Sequence, residues 1–162
     1  MSAVPAVPAV PDPPDRSRLV PAAREVVRAE VTSDPVDTAS LASLVGRASA
    51  GAVVTFSGVV RDHDGGRAVR GVEYVAHPGV QDVLAEVAGR VAGRHDVDAL
   101  AVAHRVGDLA VGDGALAVAV AAAHRAEAFT AAADLVEEVK RCLPVWKRQV
   151  LADGTDEWVA CP

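Results

Sequence analysis

The sequence is poor in aromatic residues, cysteine and lysine. Only five of its 162 residues are Phe, Trp or Tyr, whereas 51% of the chain is hydrophobic, so we predict a sizeable core built from Val, Ala and Leu. The two cysteines, Cys142 and Cys161, show neither a CxxC motif nor a metal-ligand spacing. This cysteine usage is typical of the reducing cytoplasm. We therefore expect a cytoplasmic protein.

Long apolar runs are also missing. The longest, residues 115–123, has about half the length that a membrane span requires. The N-terminus has no basic residue before its apolar stretch and is too rich in proline for a signal peptide. A formal net charge of −6 argues against a nucleic-acid-binding surface. We expect no membrane and no nucleic acid as partner, and no metal or cofactor is indicated.

The chain divides into a tail and one domain. Residues 1–21 are rich in proline and have little to bury, which predicts a disordered tail. Residues 22–162 are expected to form a single domain, in which apolar periodicity defines the helices and strands. The predicted strands are residues 26–31, 52–61, 69–76, 100–106, 115–120, 145–151 and 157–159.

Three helices are predicted between these strands. Asp37 caps a short helix with Leu41, Leu44 and Val45 on its buried face. A second helix starts at Pro78, and a long third helix runs from about His124, with a buried stripe that begins at Phe129 and continues through Ala132, Val136, Val139 and Leu143.

The order of the predicted elements indicates the fold class. Residues 69–76 are predicted to form a hairpin with the strand at 52–61, because the loop between them carries strong turn residues, including Gly65-Gly66. Residues 107–114 are predicted to form a turn region. Strands that come in adjacent pairs between helices indicate an α+β fold with a mixed, largely antiparallel sheet and packed helices.

The most informative stretch is residues 140–148, where four cations fall within nine residues of an acidic chain. Lys140 and Lys147 are the only lysines, whereas the other fourteen basic residues are arginines. Unlike a guanidinium, an amine can lose its proton when desolvated or attack a carbonyl. Pro144 ends the long helix, so Lys140 lies in its last turn and Lys147 on the returning strand. We favour a shared pocket for the two lysines; the alternative is that Lys140 complements the helix dipole, the role we favour for Arg141.

Other candidate residues have simpler interpretations. His124-Arg125 lies at a helix N-terminus, where it could clamp an anion or be solvated. His104-Arg105 repeats this dipeptide at a strand end and is interpreted as structural. Residues 62–64, Asp-His-Asp, cannot all face one metal ion from a regular backbone, so a metal site is not predicted there. Cys142 is interpreted as a core residue.

Five stretches together resemble one family, and the similarity covers residues 20–160. The stretches are GAVVTFSGVVRDHDGG (51–66), VEYVAHPG (72–79), AHRVGDLAVGD (103–113), AHRAEAF (123–129) and KRCLPVWKR (140–148). Together they resemble the large, catalytic subunit of molybdopterin synthase. The resemblance implies an α/β-hammerhead fold and a homodimer at the centre of a heterotetramer. The partner would be a small ubiquitin-like sulfur carrier whose C-terminal Gly-Gly ends in a thiocarboxylate.

The resemblance also implies a reaction and a set of site residues. Two sulfurs would pass from the carrier to cyclic pyranopterin monophosphate, which gives the dithiolene of molybdopterin. Lys140 and Lys147 match the two functional lysines of the family, and His124-Arg125 matches an anion-binding pair contributed across the dimer interface. The implied substrate-binding residues are Val59, Val60, Arg61, His124, Arg125, Lys140, Lys147, Arg148 and Gln149.

One position departs from the family pattern. The family usually has a glutamate where this chain has Gln149, and a glutamine can form hydrogen bonds but cannot transfer a proton in acid–base catalysis. A second hypothesis for the whole chain is a non-catalytic α+β dimer that binds an anionic small molecule or an acidic protein tail. Both hypotheses explain the cluster of cations at residues 140–148. Only an enzyme explains why two of these positions are lysine in a chain that otherwise uses arginine.

Overall fold

The computed structural model of the chain describes residues 18–160; most of the predicted tail, at 1–17, and Cys161 lie outside this range. It contains nine strands and three helices in these residues. The strands are β1 (Glu25–Thr32), β2 (Ala52–Val59), β3 (His63–Asp64), β4 (Arg67–Ala76), β5 (Val97–Arg105), β6 (Gly107–Ala110), β7 (Gly114–Ala122), β8 (Val145–Leu151) and β9 (Asp156–Ala160). The helices are α1 (Thr38–Val45), α2 (Val80–Arg94) and α3 (Arg125–Cys142).

The strands form two sheets. The first has the order β1-β5-β7-β2, in which β1 and β5 are parallel and the other neighbours are antiparallel. The second has the order β3-β4-β8-β9, with β6 paired to β4, and all of its pairs are antiparallel. The predicted α+β class with mixed, largely antiparallel pairing is therefore confirmed.

The central strands of the first sheet are buried on both faces, and their sequences alternate between small and large residues. The alanines of β5 and β7 pack against Leu41 and Val45 of α1. The Leu and Val residues between them face α2 and α3 and form the main core. The large residues on that face are Leu100, Val102, Leu116, Val118 and Val120. A core of Val, Ala and Leu was expected from the composition, and the alternation determines which helix each face receives.

One predicted pairing is wrong. The strand β2 does not form a hairpin with β4, because it pairs with β7 instead. The Gly65-Gly66 turn does make a hairpin, but it connects the two-residue strand β3 to the start of β4. Both glycines have positive φ, 55° and 77°, as a tight two-residue hairpin turn requires. The predicted turn is therefore confirmed, but the strand on its N-terminal side is β3 and not β2.

Three smaller predictions also need correction. The segment 107–114 is not only a turn, because it contains β6, which pairs with β4. Leu44 is 37% exposed, so the buried face of α1 consists of Leu41 and Val45. Phe129 is 63% exposed. It lies at the margin of a stripe centred on Ala128, Ala131, Ala132, Leu135 and Val139, so its side chain points away from the sheet.

The described part of the predicted tail contacts the domain. Arg18 donates to the Asp98 carboxylate at 2.5 Å and to the Asp96 carbonyl at 3.2 Å. Asp98 is 1% exposed at the start of β5, so this ion pair fixes residue 18 against the sheet. Among residues 18–160, no helix combines the length and the apolar character needed to cross a membrane.

Candidate active site

Lys140 and Lys147 line one pocket, which we call the lysine pocket. Pro144 forces Leu143 into an extended conformation, with φ −71° and ψ 122°, so α3 ends at Cys142. The chain then reverses into β8, which begins at Val145. This corner brings an amine from the last turn of α3 and an amine from the returning strand to the same cavity, as the sequence predicts.

The rest of the lysine pocket comes from the second sheet and from the end of β2. Of the predicted site residues, the pocket brings together Val59, Val60, Arg61, Lys140, Lys147 and Gln149. The other lining residues are His63, Asp64, Val69, Val72 and Tyr74. Three cations therefore converge on one cavity, an arrangement suited to binding an anionic ligand.

The strand β8 explains why Arg148 does not join this group. Successive side chains of a strand point to opposite faces, so Lys147 and Gln149 face the pocket whereas Arg148 faces away. The guanidinium of Arg148 forms ion pairs with Glu73 at 2.5 Å and Asp156 at 2.8 Å. The hydrogen bonds to Asp156 and Glu73 raise the pKa of Arg148. Arg148 was expected near the substrate, but its contacts are on the opposite side of the sheet.

His124 and Arg125 lie at the other end of α3. His124 is the N-cap residue, and the pair lines a separate surface cavity with Gly51, Ala52 and Ala123. Lys140 follows Arg125 by fifteen positions in the helix, which corresponds to about 22 Å along the axis. Within one chain, the pair therefore cannot reach a ligand bound at Lys140. A shared site would require a second copy of the chain.

Asp64 is a residue of the pocket that the sequence analysis considered only as a metal ligand. Its carboxylate accepts a hydrogen bond from Arg61 Nη2 at 3.0 Å and lies 3.7 Å from Lys147 Nζ. Hydrogen bonds from Gln149 and Arg61, together with the charge of Lys147, lower the pKa of Asp64. Among residues 18–160, no group of three or more His, Cys, Asp or Glu side chains could hold a metal ion.

An apolar compartment adjoins the lysine pocket and shares Val59, Tyr74 and Lys140 with it. His104 lies in its wall, 9% exposed, with its ring edge-on to Tyr74 at a centroid distance of 5.3 Å. The Nδ1 atom bonds the Arg105 carbonyl at 2.9 Å, so Nδ1 carries the proton and Nε2 is the unprotonated nitrogen of the neutral ring. Burial, and secondarily the positive charge of Lys140, lower the pKa of His104.

His104 was interpreted as structural, and its place in this wall could have been suspected from strand parity. It has the same parity as Leu100 and Val102, whose side chains face the main core and α3. A histidine at the end of that row therefore comes close to the C-terminal end of α3, where Lys140 lies.

Comparisons with known proteins agree on one family. A family model described as "MoaE protein" matches residues 31–142. The molybdopterin synthase catalytic subunit of Bacillus subtilis is 32% identical over 133 residues, which is 82% of this chain and 84% of that protein. The protein of the same name from Cereibacter sphaeroides is 45% identical over 117 residues, 71% of this chain and 77% of that one.

Solved structures are similar over the same region. A crystal structure of molybdopterin synthase from Staphylococcus aureus matches with a TM-score of 0.73 and 27% identity, and covers 81% of this chain and 96% of that one. A complex of subunits 1 and 2 of a molybdopterin-converting factor from Helicobacter pylori matches with a TM-score of 0.56 at 20% identity. That match covers 68% of this chain and 73% of the other, and it supports the fold alone.

Proposed function

We propose a function for the lysine pocket from one premise: the chain belongs to the MoaE family, whose members similar to it are molybdopterin synthase catalytic subunits. The chain is accordingly an enzyme of molybdenum-cofactor biosynthesis. Its substrate is cyclic pyranopterin monophosphate, and its sulfur donor is the C-terminal thiocarboxylate of a small carrier subunit. Both ligands are anionic, which matches the three cations in the pocket.

The carrier is a separate small protein whose flexible Gly-Gly end enters the pocket. The Helicobacter pylori structure, which shares the fold, is a complex of two different subunits of a molybdopterin-converting factor. A Gly-Gly end suits such a cavity, because a backbone without side chains can approach the lining residues closely. The carrier would leave as an ordinary carboxylate after each transfer. Two thiocarboxylated carriers are therefore needed for one dithiolene.

The two lysines have different roles in this reaction. Lys140 acts as the amine of the site at the stage when the carrier's terminal glycine is joined to the pterin sulfur as a thioester. It either takes a proton from the water that cleaves this thioester or attacks the thioester carbonyl itself. The second route breaks the carbon–sulfur bond, leaves the thiolate on the pterin and forms an amide that water then hydrolyses. Lys147, on β8, binds anionic groups together with Arg61. The neutral His104 adds no further positive charge beside Lys140.

The active unit is a homodimer within a heterotetramer. His124 and Arg125 lie about 22 Å along α3 from the lysine pocket of their own chain. They can serve a substrate only if they reach the pocket of a second chain. We propose that each active site combines the lysine pocket of one subunit with the His124-Arg125 pair of the other.

The observation that carries the proposal is that α3 and β8 deliver the only two lysines of the chain to one cavity. The test is to mix the protein with thiocarboxylated carrier and cyclic pyranopterin monophosphate and to measure dithiolene product. Carrier ending in an ordinary carboxylate serves as the control. Product only with the thiocarboxylate supports the proposal, whereas carrier binding without product would favour an anion-binding dimer.

A further inference from the structure

Asp64 is the only carboxylate among the described residues that line the lysine pocket. It ends β3, and the two-glycine turn behind it fixes its position opposite Arg67 in the hairpin. Its side chain contacts residues from two other parts of the chain: Arg61, just after β2, and Lys147 on β8. One aspartate therefore connects two of the three cations in the cavity.

Gln149, on β8, lines the same pocket as Asp64 and contributes to the lowered pKa of that carboxylate. Its side-chain amide lies 3.5 Å from Glu157 Oε1 on β9. Gln149 is only 3% exposed, so this amide is buried. An amide nitrogen carries two N–H donors and can serve both carboxylates, whereas a glutamate at 149 would repel both.

The remaining charged neighbours are accounted for by pairing. Arg67, opposite Asp64 in the hairpin, forms an ion pair with Glu157. The hydrogen bond that Arg67 donates to Glu157 is the largest cause of the raised pKa of Arg67, to which the charge of Asp64 also contributes. The negative charge of Glu157 is thus compensated, and that of Asp64 remains directed at Arg61 and Lys147.

We propose that Asp64 is a positioning residue for the reaction, which holds the Lys147 ammonium and the Arg61 guanidinium in place for the anionic substrate. In this chain Asp64 supplies the carboxylate that the resemblance leads one to expect at position 149, and Gln149 supplies the matching amide. The inference rests on the proposed function of the lysine pocket. It predicts that a carboxylate at position 149 with an amide at position 64 could replace the present arrangement.

The proposal separates turnover from binding. The variant Asp64→Asn removes a negative charge from a cavity that binds anions, so electrostatics alone would tighten substrate binding. The same change releases Lys147 and Arg61 from their partner, and a small misplacement of such groups is costly in rate. We expect turnover to fall on the order of tenfold, with a KM for the pterin that is no higher than in the wild type.

The experiment compares four proteins: wild type, Asp64→Asn, Asp64→Asn/Gln149→Glu, and the control Asp62→Asn. Asp62 is exposed, and the partner of its side chain is His63. Single-turnover product formation is measured with saturating thiocarboxylated carrier, together with equilibrium binding of the pterin and melting temperature. The double variant moves the carboxylate to position 149, where it faces only Glu157, whose charge Arg67 compensates. It is expected to recover part of the lost rate, whereas Asp62→Asn is expected to behave as wild type.

Two results would overturn the proposal. One is wild-type turnover by Asp64→Asn, and the other is a stably folded double variant that is as slow as the single one. If the wild type itself forms no product, the proposed function fails, and the binding measurement still tests Asp64. Weaker pterin binding by Asp64→Asn would then contradict the inference, because removal of a negative charge from the cavity is expected to tighten the binding of an anion.

Discussion

Tyr74 lies directly opposite Lys147 in the antiparallel register of β4 and β8. Opposed residues in such a pair project from the same face, so the Tyr74 ring and the Lys147 amine both line the lysine pocket. The next pair in the register, Glu73 and Arg148, projects from the other face and forms an ion pair there. The register of these two strands thus separates a lysine of the pocket from an arginine that stabilises the sheet.

Adjacent residues on β8 should therefore respond differently to substitution. Lys147→Ala is expected to lower sulfur transfer on the order of tenfold, because a charged hydrogen-bonding group is lost from the site. Arg148→Ala should leave the transfer rate unchanged and cost at most about 1 kcal/mol of unfolding free energy, since its ion pairs are partly exposed. Product assays and urea unfolding of both variants test this. A large loss of rate in Arg148→Ala would return this residue to the substrate site.

Mixed dimers test whether the site is shared between subunits. Lys140→Arg and Arg125→Ala are each expected to be inactive as homodimers. When the two variants are co-expressed, half of the dimers contain one of each, and every such dimer has one intact site, so about a quarter of wild-type activity should return. No recovery in a verified mixed dimer would mean that both residues serve a site within one chain, whereas an active Arg125→Ala homodimer would mean that Arg125 serves no site.

The ion pair between Arg18 and Asp98 should contribute to the free energy of unfolding. Arg18→Ala leaves the buried Asp98 carboxylate without its ion-pair partner, and its other oxygen, Oδ2, has no hydrogen-bond partner within residues 18–160. We expect a loss of about 2 kcal/mol in urea unfolding, and partial recovery on adding Asp98→Asn. Arg24→Ala is the control, because its pair with Asp96 is exposed and should contribute less than about 0.5 kcal/mol.

His104 should make stability depend on pH. Burial lowers the folded-state pKa of His104 below its ordinary value of 6.5, so between the two pKa values the unfolded state binds a proton that the folded state does not. Stability must then fall as pH drops below 6.5, at a slope of at most about 1.4 kcal/mol per pH unit for one proton. Urea unfolding at several pH values should show a shallower slope for His104→Gln than for the wild type. Equal slopes would contradict a buried, neutral imidazole.

Much of the fold follows from local sequence. Asp37 caps α1 through hydrogen bonds to the backbone N–H groups of Ala39 and Ser40, and Pro144 ends the helix that carries Lys140. These features depend on neighbours within a few residues, and so the lysine corner was predictable. The pairing of β2 with β7 depends on residues about sixty positions apart, and turn residues between β2 and β4 carry no information about it.

The site was predictable in its cations and not in its carboxylate. Lysine stands out in a chain that otherwise uses arginine, whereas Asp64 is one of 22 acidic residues and sits in a loop that reads as a simple turn. Its role arises from the hairpin at Gly65-Gly66, which positions it beside Lys147 from a distant strand. Arg148 was predicted to bind the substrate because it follows Lys147 in sequence. Neighbouring residues of a strand face opposite sides, however, and Arg148 pairs with Glu73 and Asp156 on the other face.

The central claim is that Lys140 acts through its amine, and Lys140→Arg tests it most directly. Arginine keeps the positive charge and the favourable interaction with the C-terminal end of α3, so the melting temperature should stay within about two degrees of the wild type. It provides no amine that can lose a proton or form an acyl link. In single-turnover assays with saturating carrier we predict normal carrier binding and a loss of product formation on the order of a hundredfold. Near-wild-type turnover by Lys140→Arg would contradict the account and leave the pocket as an electrostatic binding site.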